Sequence, residues 1–207
     1  MEILILVSSL TNRVKYTFNL VFNTLLQTPY KLTINEEEWK LYNGPKMSYG
    51  VQCIEDNFFV KSKGLLFEQG IAESEISVDS FKNTKIIYCT PHNKHFPFDV
   101  FSAVFFMASR YEEYLPHKRD IHDRFEATES LAFKEGFLHQ AVVHWWCEFL
   151  WDELKLKFPE ITRTKRAFKF ITTIDVDNAF AYKQKGFVRA VAGISKDILQ
   201  FNFKQLK

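Results

Sequence analysis

The chain has 207 residues, with 27 Lys or Arg against 25 Asp or Glu, for a net charge of +2. That near-neutral balance gives no electrostatic footprint for nucleic acid. At 46% apolar and 25% charged residues, the composition is that of an ordinary globular chain of one or two domains, long enough to bury a real core. Phe is frequent at 22 and Gly scarce at 7, so the interior should be rich in aromatic rings and the loops poor in glycine. The three cysteines, Cys53, Cys89 and Cys147, are odd in number, widely spaced and in no CxxC pair. They argue against a disulfide framework or a zinc ribbon and for thiols in a reducing compartment.

The chain opens MEILILVSSL, with no basic segment before its apolar run, and Ile3 to Val7 is too short for a signal core or a membrane span. It reads as a buried first strand. A cytoplasmic location follows, with peripheral membrane association left open and no transmembrane segment expected. Ser8, Ser9, Thr11 and Asn12 offer helix-capping chemistry. Val14, Phe18, Val21, Phe22 and Leu25 then fall at helical spacing, ending before Pro29. Strand, polar turn and helix open an α/β unit. Anions are attracted to a helix start, but no glycine-rich loop marks a phosphate site here.

Tyr30 to Ile34 reads as a second strand and Glu36 to Tyr42 as a short acidic helix, ended by Asn43-Gly44-Pro45. Met47 to Ile54 and Phe58 to Val60 read as short strands joined by a Glu55-Asp56-Asn57 turn. Leu65 to Phe67 and Lys85 to Cys89 are further strand candidates, and Gly70 to Asn83 is polar and ambiguous. His92 and His95 sit in a Pro-bounded loop and read as solvated. Phe98 to Leu115 predicts a helix whose face is Phe101, Val104, Phe105, Ala108, Tyr111 and Leu115, with Asp99 near its start and Pro116 as its stop. The charged run RYEEYLPHKRD within and after it reads as a helix end and turn or as an interaction surface. Phe125 to Gly136 has mixed turn and short-helix character. Leu138 to Leu156 predicts a second long helix, with Leu138, Val142, Trp145, Phe149 and Leu156 on one face, widened by Trp146 and Leu150. His139 and His144 fall about 140° apart around that helix, off a common face, and make poor co-ligands. Pro159 ends the helix, and the polar stretch 160–166 marks a domain boundary.

Beyond the boundary, Ala167 to Ile174 has the Phe, Ile and Thr content of a buried strand and ends in Asp175 and Asp177. Ligands gather at the C-terminal ends of strands in open parallel sheets and β/α barrels. In an extended backbone, residues two apart point the same way with Cα atoms about 7 Å apart. Two carboxylates so placed suit a divalent cation and a base acting on its bound water. The same Asp-x-Asp spacing also caps helices, solvates turns and occurs in glycosyltransferases.

The run TTIDVDNAFAYKQKGF resembles the first motif of the polysaccharide deacetylase (NodB-homology) family, in the branch that has Asp-x-Asp in place of adjacent aspartates. The upstream stretch FPFDVFSAVFFMASRYEEYLPHKRD, with ESLAFKEGFL, resembles an N-terminal domain that precedes the deacetylase in Bacteroidetes-type proteins. The resemblance covers most of the chain from about Phe96 onward, and the earlier part more loosely. It implies an α/β fold: an N-terminal α/β domain over residues 1–165, then over 166–207 the first βα unit of a barrel-like deacetylase domain, with a helix from about Phe187 to Phe201. It implies Asp175 as catalytic base, Asp177 as metal ligand, a divalent metal (zinc) as cofactor, and a polysaccharide or amino-sugar substrate. The family's His-x-x-x-His ligand pair is absent from this sequence. The expectation is therefore a fragment that retains no metal and is inactive alone. The competing expectation is a non-catalytic binding or scaffold module associated with glycan or envelope.

Overall fold

The structure, a computed structural model, describes residues 1–55, 57–91, 93, 96–164, 167–175, 186 and 191. The chain divides into two units, Met1–Lys165 and Arg166–Lys207. The first is mixed α/β, with a four-stranded parallel sheet and a small antiparallel hairpin.

Strand β1 (Ile3–Val7) lies inside the parallel sheet and is buried at every residue. An uninterrupted ILILV run suits a strand covered on both faces, where no position needs to be polar. Thr11 then caps α1 (Asn12–Phe18), its hydroxyl accepting from the Val14 amide at 3.0 Å. The helix continues as a π-helical segment, Asn19–Leu26, a form that the spacing alone did not foretell. Val21 and Leu26, five residues apart, are both fully buried, as an i→i+5 repeat allows. Gln27 ends the segment in the left-handed conformation (φ 51°), two residues before Pro29.

Strand β2 (Tyr30–Thr33) pairs parallel with one edge of β1. Next, α2 (Glu36–Leu41), capped by the Asn35 side chain, carries the chain across to β3 (Lys46–Gly50) on the other edge of β1. These two crossovers run in opposite directions. Right-handed connections therefore place their helices on opposite faces, and the packing agrees. Ile3, Ile5, Val7, Met47 and Tyr49 join a core with α1 and later helices, while Leu4 and Leu6 pack on Trp39 of α2. Trp39 is fully buried, and its indole N–H donates to the Met47 carbonyl at 3.0 Å.

Strand β4 (Phe58–Lys61) pairs with β3 in parallel, Met47 opposite Phe58. The turn expected at Glu55 to Asn57 does not build a hairpin, and β3 stops at Gly50 rather than running to Ile54. A parallel return normally takes a dozen or more residues. Here β4 is only four residues long. The seven residues 51–57, each able to span up to about 3.3–3.6 Å, are enough to cover that length even with bends. Leu65 to Phe67 is a turn, not a strand; both leucines are buried within it.

Strands β5 (Val78–Phe81) and β6 (Thr84–Ile87) form the hairpin, turned by Lys82 and Asn83, both at positive φ (46° and 63°). That is the backbone of a two-residue hairpin turn, reached here without glycine. Helix α3 (Val100–Ala108) is shorter than its pattern suggests. Arg110, at φ 53°, breaks the run, and Tyr111–Tyr114 follows as a 3-10 turn. Tyr111 packs its ring back on Phe105 and Phe106, and its hydroxyl accepts from the Ala72 amide at 3.0 Å.

The short α4 (Leu131–Lys134) precedes α5 (Val142–Lys157). The buried face of α5 is Val142, Trp146, Leu150 and Leu154 with Cys147 and Trp151, rotated from the expected one; Trp145 and Leu156 face solvent. The helix is apolar over most of its circumference, so spacing alone does not select the face. Trp146 does, because its indole N–H reaches the Lys85 carbonyl at 2.9 Å. No helix among the described residues is long and apolar enough to cross a membrane.

The aromatic content converges on Phe101 of α3. Its ring stacks on Phe18 (centroids 4.1 Å apart) and meets Tyr49 edge-on at 5.0 Å, joining two helices to the sheet. Truncating a fully buried ring costs about 3–5 kcal/mol in lost transfer energy and cavity formation. Phe101→Ala should therefore lower the urea midpoint by an amount equivalent to that cost. A midpoint shift worth less than about 1 kcal/mol would show that the three elements do not close around this ring.

Candidate functional site

The strand order β2-β1-β3-β4 reverses between β1 and β3. At such a switch point the two flanking connections leave on opposite faces, and a crevice opens beyond the C-terminal ends of the central strands. A cavity of about 460 Å³ lies there. Its walls are Leu6, Val7 and Ser8 from the end of β1, Ile34 from the link after β2, Glu36 from the start of α2, Ser48, Tyr49 and Gly50 from β3, and Val51, Gln52 and Ile54 from the connection. The size falls within the range of small-molecule sites, about 300–1,000 Å³.

Three local features shape it. A Cβ on Gly50 would come 3.1 Å from Ser8 Oγ, so glycine leaves the mouth between the two strands open. The carbonyl of Gly50 accepts from the Ser62 amide at 2.7 Å, which fixes the strand end. Ser48, buried, donates to Asn57 Oδ1 at 2.9 Å, tying the connection to the sheet. Glu36 pairs with Lys40 at 2.5 Å along the surface of α2.

Behind the crevice, Tyr49 belongs to a second arrangement that sequence reasoning missed. Asp99 is fully buried and caps α3, its Oδ1 accepting from the Ser102 amide at 2.9 Å. Its Oδ2 accepts from the Ser102 hydroxyl at 2.6 Å, the Lys63 amide at 2.7 Å and the Tyr49 hydroxyl at 3.1 Å. The Ser62 hydroxyl donates to Tyr49 Oη at 3.1 Å. One carboxylate thus joins α3, β3 and the residues following β4. The Asp-x-x-Ser spacing signals the cap, but the partners 36 and 50 residues away carry no local signal.

Burial raises the pKa of Asp99 above the ordinary carboxylate value, against the hydrogen bonds from Ser102, Lys63 and Tyr49 that favour the ion. Tyr49 is pushed well above the usual phenol value, first by burial and then by the Asp99 charge. Because the folded-state pKa of Asp99 lies above the unfolded one, the folded chain holds its proton more tightly. The Asp99 contribution then favours folding below the unfolded pKa and is lost as pH rises through the folded pKa.

The residues singled out by the Asp-x-Asp motif belong to the second unit of the chain. Asp175 is exposed, and Ala167 to Asp175 carry no regular secondary structure, against the expected strand. A single strand has no ladder partner for its amides and carbonyls, and these residues pair with no strand among those described. Phe168 is 93% exposed and Ile174 82%. Asp177 lies outside the described residues, as do His92, His95 and, apart from Val191, the helix expected over Phe187 to Phe201. Among the described residues, no three His, Cys, Asp or Glu side chains are grouped to hold a metal ion. The described surroundings of Asp175 therefore do not assemble a metal site.

The buried carboxylate gives a direct test. Asp99→Asn places an NH2 group opposite donors, leaving an amide or hydroxyl hydrogen without its acceptor, at a cost of about 1–3 kcal/mol. Denaturant titrations should show that loss. The advantage of the wild type over the variant should grow as pH falls from neutral toward the ordinary carboxylate range. An advantage that shrinks on acidification would reverse the sign assigned to Asp99.

No curated protein and no solved structure matches the chain. A family model, described as a family of unknown function (DUF7033), matches residues 3–159. That span takes in the parallel sheet, the switch-point crevice, the Asp99 network and α5, and it ends before the Asp-x-Asp segment. The chain belongs to the DUF7033 family.

Proposed function

We propose that this chain is part of a metal-dependent polysaccharide deacetylase, which hydrolyses N-acyl groups on amino sugars, and that residues 3–159 are its non-catalytic accessory domain. One observation carries the reading. The segment Phe168 to Ile174 has the composition of a buried strand, lies past the end of the family match and is exposed to solvent. Apolar residues of this density gain burial elsewhere, and a deacetylase domain opening with this motif supplies it. In this reading the segment is the first strand of that domain, Asp175 is the base, and Asp177 is the aspartate ligand of a divalent metal, zinc. The 207-residue chain alone, without a His-x-x-x-His pair, retains no metal and is inactive.

A second reading, a glycan- or envelope-associated binding module with no catalytic partner, is favoured by the crevice at the switch point. In it, Asp175 and Asp177 are turn residues.

Acetate release from N-acetylglucosamine oligomers by the intact protein separates the two. The deacetylase reading expects zinc-dependent release, with Asp175→Asn lowering the rate by about 10²–10⁴, the range for a positioned general base, and circular dichroism unchanged. Release that is unaffected by Asp175→Asn and by Asp177→Asn would refute it. So would zinc-dependent release by the 207-residue chain itself.

A further inference from the structure

We propose that the switch-point crevice binds a neutral polyhydroxylated ligand, one or two sugar units in size, held by hydrogen bonds to Ser8, Glu36, Ser48 and Gln52. The topology sets the place: the sheet is parallel throughout and its order reverses between β1 and β3, where the cavity of about 460 Å³ opens. The lining sets the chemistry.

No Lys, Arg or His appears among the described residues that line the cavity, whereas Glu36 does. The first turn of α2 already carries Glu36, Glu37 and Glu38, and the Asn35 side chain takes the amides of Glu37 and Glu38. The positive end of that short helix is thus spent on its own carboxylates. A phosphate or carboxylate ligand would meet the Glu36 carboxylate, whose counter-ion Lys40 is not among the lining residues.

A wholly apolar ligand fits no better. It would cover the Ser8 hydroxyl and the Gln52 amide without returning hydrogen bonds, at a cost of about 1–3 kcal/mol for each group left unpaired. Much of the remaining lining is aliphatic: Leu6, Ile34, Val51 and Ile54. A sugar ring presents both surfaces at once, hydroxyls at its rim and C–H groups on its faces. Gly50 keeps the entrance clear, since a side chain there would press on Ser8 Oγ. That the hydroxylated ligand is a saccharide of the polysaccharide class rests on the deacetylase reading; the place and polarity of the crevice do not.

The test is calorimetric titration of the full 207-residue chain with N-acetylglucosamine, its β-1,4-linked disaccharide, glycerol and inorganic phosphate, with amide chemical shifts recorded in parallel. Saturable binding of the saccharides is expected, with shifts at Ser8, Gly50, Val51 and Gln52 and none for phosphate. Ser8→Leu, at an exposed residue, should weaken binding about ten-fold or more by filling the mouth. Gln52→Ala, also exposed, should weaken it several-fold and serves where the larger side chain disturbs folding. Saturable glycerol binding at the same amides without saccharide binding would keep the hydroxylated-ligand assignment and remove the saccharide. Failure of every hydroxylated probe to bind would overturn the proposal. So would saccharide binding that neither variant alters, or phosphate binding at the crevice. An intact protein that deacetylates while the crevice stays silent would sink this proposal alone. Crevice binding in a protein without deacetylase activity would sink the deacetylase reading and leave the crevice.

Discussion

A parallel strand with apolar side chains on both faces requires cover on both, and β1 imposes that requirement on everything around it. Ile3, Ile5 and Val7 call for one layer; Leu4 and Leu6 call for another. The chain meets the demand by going out through α1 to β2 on one edge and back through α2 to β3 on the other. With crossover handedness fixed, that route places helices on opposite faces. The same reversal opens the crevice. The site is therefore a consequence of how β1 is buried, and it needs no loop of its own.

The two covers are unequal. One face carries α1, α3 and α5 with an aromatic cluster of Phe18, Phe22, Tyr49 and Phe101. The other carries the single short helix α2, anchored by Trp39. Asp99 is what ties the thick side to the ends of the strands. It is a costly device, because a buried carboxylate with no basic partner among the described residues depends on its donors for stability. Four donors, two of them backbone amides, satisfy it. Through Tyr49, which also lines the crevice, these bonds tether β3 to α3.

Much of this was legible in the sequence, and the reason is locality. The ILILV run, the Asn43-Gly44-Pro45 breaker and the Thr11 cap act on their immediate neighbours, and β1, β2, α1 and α2 lie where those signals put them. What was not legible depends on distant partners or on rare backbone choices. The parallel pairing of β3 with β4 looks like a hairpin until the strand lengths are known. The hairpin turn at Lys82-Asn83 and the break at Arg110 use positive φ without glycine, which gives no letter to read. The face of α5 depends on which tryptophan finds a carbonyl. Of the site, Ser8 was visible only as a capping candidate. The place of Gly50 against it, and the burial of Asp99, appear only once β1 and β3 are side by side. Asp175 stood out in the sequence through its motif, and the described residues place it in a solvent-exposed segment.

The chain thus separates a doubly covered sheet that carries a crevice from an apolar segment ending in Asp175 that is not part of that sheet. Native-state hydrogen exchange on the 207-residue chain tests that separation most directly. The amides of β1 and β3 should exchange only through global unfolding, while those from Phe168 to Asp175 exchange near the rate of an unstructured peptide. Protection of Phe168 to Asp175 equal to that of β1 would make the segment a strand of the same sheet. It would then contradict both the separation and the functional reading built on it.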